Sequence, residues 1–136
     1  MTLEEIEDTL PNGFHDAQIQ EIAMNYDEAR LTLRIKIWAG SPSSSPPERD
    51  RYRSGILTFR RVQFFAVELP QAGIAFQHPG HIWFSFGRTP SDTIPPRISD
   101  VLPQGTLCYS LFILDWFSSI HIAAAEVSLS ELAEDG

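Results

Sequence analysis

Few residues in this sequence have the types and spacing to do chemistry. His15-Asp16, inside GFHDAQIQEI, puts an imidazole beside a carboxylate. Neighbours on a strand point to opposite faces, so they cannot act on one atom unless a bulge or turn rotates one of them. The apolar phase groups His15 with Ala17 and Ile19. It predicts a buried, hydrogen-bonded histidine on the core side, with Asp16 capping turn amides near Gly13. A metal-dependent phosphohydrolase of the His-Asp type would need further histidines and a distant aspartate on helices, a set this chain does not offer. His78-Pro79-Gly80-His81 has a spacing that could reach one metal across a turn, yet Cys108 and His121 supply no matching ligand spacing. The alternative for His78 and His81 is a pair of surface histidines flanking a Pro-Gly turn.

Arg49, Arg51 and Arg53 alternate with Asp50 and Tyr52. On an extended chain they would line up three fork-shaped donors able to grip carboxylates or phosphates, or would protect an edge strand by charge. Trp38 is in phase with Arg34 and Lys36, which places an aromatic on a polar face, where it marks a contact surface. The candidate binding residues are therefore His15, Asp16, Trp38, Arg49, Arg51 and Arg53, with His78 and His81 as the metal alternative. No catalytic residue and no cofactor is indicated, for the chain has no Gly-x-Ser-x-Gly elbow and no phosphate-binding or dinucleotide glycine pattern.

The elements that must carry these residues read as one domain over 1–136. At 136 residues and 43% apolar content the chain can build one sizeable core. Thr2 and Glu5 have capping-box spacing, and Leu3, Ile6 and Leu10 share a helical face that Pro11-Asn12-Gly13 ends, giving a helix at about 3–10. From His15 the period is two, with a phase jump near Gln20-Glu21 that signals a β-bulge. Leu31, Leu33, Ile35 and Ile37 then alternate with polar residues, and the short link at Asp27-Glu28-Ala29 makes the two runs an antiparallel hairpin.

The Ser/Pro-rich stretch at 40–50 and the proline-rich stretch at 87–105 read as flexible loops. Further strands are predicted at Ile56–Phe59, Val62–Leu69 after a phase break at Arg60-Arg61, and His81–Phe86. Thr106–Leu114 is apolar on both faces, which suits a central strand covered on each side or a strand at a homodimer interface. Ser119–Val127 is another strand, and Ser128 with Glu131 predicts one last helical turn carrying Leu129, Leu132 and Ala133. The aromatics Phe64, Phe65, Phe76, Trp83, Phe84, Phe86, Trp116 and Phe117 are assigned mostly to the core, and lone Cys108 to a buried thiol. The fold class is thus α+β, mostly β. It is an antiparallel sheet of six or seven strands, curved or closed into a partly open barrel, with short N- and C-terminal helices.

Charge bounds the partners. Residues 1–29 hold eight acids and no Lys or Arg, residues 101–136 hold five acids and again none, and the net charge is −8. Such ends repel a phosphate backbone, so nucleic acid is a poor partner and a basic protein a better one. No apolar run approaches the roughly 20 residues of a membrane-spanning helix. MTLEEIEDTL lacks the basic and apolar regions of a secretory signal, so no membrane partner and a cytoplasmic setting are expected.

The order of LPNGFHDAQIQEI, a hairpin ending RLTLRIKIW, and GILTFRRVQFF resembles small bacterial proteins that open with a Leu/Phe-His-Asp-Ala/Ser strand. Some of these are similar to the immunity protein fifty family of polymorphic toxin systems. The likeness covers mainly residues 10–65 and brings no catalytic residue with it. It implies a non-enzymatic protein-binding module, in the form of an immunity protein masking a basic toxin. The alternatives are a small metal-dependent enzyme or ligand-binding protein using His15, His78, His81 or His121, and a homodimeric structural domain that self-associates through 106–114.

Overall fold

The computed structural model describes residues 1–76, 80–85 and 95–134. Eight strands make one open antiparallel sheet: β1 Gln18–Asn25, β2 Arg30–Trp38, β3 Tyr52–Arg60, β4 Phe64–Val67, β5 Gly80–Ser85, β6 Leu107–Ile113, β7 Ser118–Ala124 and β8 Glu126–Glu134. Their spatial order is β4-β7-β6-β5-β1-β2-β3-β8. Among the described residues two short α-helices accompany them, α1 Leu3–Asp8 and α2 Pro96–Ser99. No helix among the described residues is long and apolar enough to cross a membrane.

The clearest period-two run becomes β2, where Leu31, Leu33, Ile35 and Ile37 are all buried and the residues between them are not. The phase jump in β1 is a true bulge: Ile19 pairs with Ile35 and Glu21 with Arg34, leaving Gln20 as the extra residue. The break at Arg60-Arg61 is a corner. Arg61 has φ 52°, the chain leaves β3 there, and it re-enters pairing as β4 against β7. The partner ribbon turns at the same place, where Ala125 N–H donates to Arg60 C=O at 3.0 Å between β7 and β8. Arg61 and Glu126 pair across this corner. The bend folds the sheet over itself, so Ile19, Leu33 and Phe59 from one half share a core with Leu111, Ile113 and Ile122 from the other.

Helix α1 is too short to persist alone, since helices under about 12 residues are marginal in water. Thr2 Oγ1 accepts from Glu5 N–H at 3.2 Å, as the capping spacing predicts, and Leu3 and Ile6 sink into the shared core.

Three expectations are corrected. The C-terminal helix does not form: 126–134 is β8, because Val127-Ser128-Leu129-Ser130 also alternates with period two and β3 offers an edge to pair with. That strand brings the count to eight. Trp83, Phe76 and Phe117 are exposed rather than core. Strand β6 pairs with β7 along its length and with β5 over Ser110–Ile113, and its second face is covered at Cys108 by Ile98 and Leu102 near α2. It is therefore an interior strand of the sheet.

The 40–50 loop is tied at its base. Ala39 N–H donates to Arg51 C=O at 2.8 Å, and Asn12 Nδ2 donates to Trp38 C=O at 3.2 Å and Gly40 C=O at 2.7 Å. Of the 87–105 stretch, 87–94 lies outside the described residues, and the remainder includes α2.

Candidate functional site

The segment before β1 is not extended. His15 N–H donates to Asn12 C=O and Ala17 N–H to Phe14 C=O, while Gly13 and Asp16 take left-handed φ values of 56° and 60°. The chain thus coils through consecutive turns until Gln18. Phe14 and Ala17 occupy the buried positions, and His15 stands outside with its side chain 72% exposed. The expectation of a core-side histidine fails here, because turn geometry rather than strand alternation sets the phase. Aspartate is among the few residues that accept a left-handed backbone, and that rotation brings Asp16 Oδ2 to 3.5 Å from His15 Nε2. The two groups therefore face each other. The carboxylate that does accept a turn amide belongs to Glu7, at 3.3 Å from Phe14 N.

This turn lines an open cleft of about 500 Å³, to which Glu7, His15 and Asp16 contribute ionisable groups. The rest of the lining includes His81 and Trp83 of β5, which pairs beside residues 17–19, and Leu114 after β6. His81 is held firmly. Its Nδ1 lies 2.9 Å from Asp115 Oδ2, its backbone N–H donates to the same oxygen, and its C=O accepts from Leu114 N–H at 2.8 Å. Burial acts to raise the Asp115 pKa, but the bonds from the His81 backbone and ring outweigh it and hold the carboxyl below its ordinary 3.8. An ionised Asp115 can only accept, so its bond to the ring requires the proton on His81 Nδ1.

Aromatic side chains extend the site along the end of the sheet. The Trp38 ring lies 5.8 Å from that of His15, and its Nε1–H donates to Arg49 C=O at 2.6 Å. Tyr52 pairs with Trp38 in the β2–β3 register. Its pKa is raised, first by burial and then by the negative charges of Asp16 and Asp50, against a hydrogen bond with Gln18. His15, Asp16 and Trp38, singled out separately in the sequence, thus meet in one place. Glu7, Tyr52, Trp83 and the His81–Asp115 pair join them. The shared phase of His81 and Trp83 on β5 could have shown that those two face the same way, whereas nothing local connects Asp115 to His81.

The arginine row is not formed. Arg49 sits in a 3-10 turn at Glu48–Asp50, which breaks the extension, and each guanidinium faces its own acid. Arg49 lies 3.6 Å from Asp50, Arg51 3.3 Å from Glu48 and Arg53 3.6 Å from Glu131.

Of the other groups with chemistry, His78 lies outside the described residues. His121 is placed elsewhere, 2.6 Å from Ser110 Oγ and 3.6 Å from Glu68 Oε2. Cys108 is buried, and burial pushes its thiol pKa up. Among the described residues no three His, Cys, Asp or Glu side chains gather as metal ligands. A second opening of about 410 Å³ lies between the β1 bulge and β4, lined mainly by apolar groups such as Ile22, Val67, Trp116 and Ile120. No family model, curated protein or solved structure matches this chain.

Proposed function

We propose that this chain is a non-enzymatic protein-binding module that docks a basic partner on the end of the sheet holding His15, Asp16 and Trp83. The observation that carries the reading is the make-up of that surface: exposed Trp83 lines a cleft, half-buried Trp38 and Tyr52 lie beside it, and the described lining residues include carboxylates and imidazoles but no Lys or Arg. Tryptophan and tyrosine beside charge are the residues that dominate interface energies, because they bury large rigid surfaces and still offer a polar tip. A net charge of −8 adds long-range attraction for a basic protein. The resemblance of residues 10–65 to the immunity protein fifty family supports the same direction, with a basic toxin as partner and the cytoplasm as the setting.

The test is co-expression with the products of neighbouring genes, followed by gel filtration at low and high salt. A complex with a basic neighbour that dissociates at high salt, and that Trp83→Ala weakens at least tenfold, supports the reading. Failure of every neighbour to bind, or a complex indifferent to Trp83→Ala, overturns it.

A further inference from the structure

We infer that the cleft between the Gly13–Asp16 turn and β5 is a receptor for a single arginine side chain, supplied by the partner whose docking was proposed above. The inference rests on that reading and adds the group recognised. Three features select it. Among the described lining residues the ionisable groups are Glu7 and Asp16 with His15 and His81, and Asp115 stands behind His81 at 2.9 Å. Carboxylates thus dominate the cleft whenever the imidazoles are neutral. The lining also includes Trp83, 64% exposed on β5, the strand that pairs beside residues 17–19 and so sets an indole next to the carboxylates. The volume of about 500 Å³ exceeds what one side chain fills, and Leu114 and Ile82 supply apolar surface for a methylene stem.

A guanidinium uses all of this. Its planar fork bonds a carboxylate in two places, its face stacks on an indole, and it sheds water more readily than an ammonium. A lysine could meet only the charge, and an aliphatic side chain only the wall.

The isolated full-length protein is titrated with N-acetyl-arginine amide, N-acetyl-lysine amide and N-acetyl-norleucine amide while indole and backbone amide resonances are followed by NMR. The arginine compound is expected to shift the Trp83 indole and the 13–16 amides saturably with a Kd of about 1 mM, as a ligand of this size allows. The lysine compound should bind several-fold more weakly and the norleucine compound should leave these signals in place. Asp16→Asn keeps a residue that tolerates the left-handed backbone and should weaken arginine binding about tenfold, the loss expected for one charge-assisted bond.

Equal response to all three compounds, an unmoved Trp83 indole, or full binding by a folded Asp16→Asn variant would overturn the inference. Because this readout needs no partner, a complex that forms without any arginine response sinks the cleft assignment alone. An arginine response with no neighbour complex sinks the partner reading alone.

Discussion

The hydroxyl oxygen of Tyr109 accepts the backbone N–H of Leu3 at 3.0 Å, joining the first residue of α1 to the centre of β6 across 106 positions of sequence. Leu3 N is one of the amides that a helix start leaves without an internal partner, and Leu3 is fully buried. Tyr109→Phe keeps the ring and orphans that amide, so it should destabilise the fold by about 1–3 kcal/mol in denaturant titration. The phenol pKa is raised, first by burial, against the Leu3 bond. A folded pKa above the unfolded one stabilises fully below the unfolded value of 10.0 and is lost as pH rises through the folded value. The Tyr109 share of the alkaline loss should therefore vanish in the variant, compared at pH 8 and above 10.

That link also marks what the sequence could and could not show. Strand β2, the bulge at Gln20 and the corner at Arg61 were legible because each leaves its mark in the phase of neighbouring side chains. The His15–Asp16 encounter was not, since a left-handed φ at a single aspartate leaves no periodic trace. Strand β8 was misread because its capping-box spacing and its alternation occupy the same residues, and only the unpaired edge of β3 decides between them. Long-range pairs such as His81 with Asp115 depend on which strands become neighbours, and strand order is set by the whole core.

Asp115 should reveal itself at acid pH. Its folded pKa is lowered below 3.8 because the His81 bonds outweigh burial, so it adds stability above the unfolded value that is lost as pH falls through the folded one. Asp115→Asn removes that contribution, and the variant should lose less stability than the parent between pH 5 and pH 2, as read by thermal melts. The ring should change as well. In the parent, the 15N shifts of neutral His81 should show the proton on Nδ1, and the variant should show a mixture of tautomers.

Cys108 offers a probe of the second face of the sheet. It is buried beside Ala123 with Ile98 and Leu102 packed over it, and burial raises its thiol pKa. A thiol held neutral and covered reacts slowly, because the thiolate is the nucleophile. At pH 8 the native protein should react with a thiol reagent such as Ellman's at least a hundredfold more slowly than the chain in denaturant. Ile98→Ala or Leu102→Ala should speed the native reaction by opening the cover, without the full loss of protection that unfolding brings. Rapid labelling of the untouched native protein would show that this covering does not hold.

Gly40 tests whether the base of the Ser/Pro loop sets the shape of the candidate site. A Cβ placed there would stand 2.1 Å from the Arg49 carbonyl oxygen and 2.7 Å from that of Glu48, both backbone atoms that cannot swing aside. Gly40→Ala must therefore push the 48–50 turn away from β2. The Arg49 carbonyl that moves is the acceptor of Trp38 Nε1–H at 2.6 Å, and Gly40 C=O is itself an acceptor for Asn12 Nδ2. The substitution should cost about 1–3 kcal/mol through overpacking and the loosened bonds. It should also shift the Trp38 indole resonance and, through the 5.8 Å ring contact, that of His15. Gly73→Ala is the control: a Cβ there meets nothing within 4 Å, although φ +86° carries its own backbone cost. It should leave both aromatic signals where they are. If Gly40→Ala left the Trp38 and His15 resonances unmoved, the loop base would have no hold on the geometry of the site.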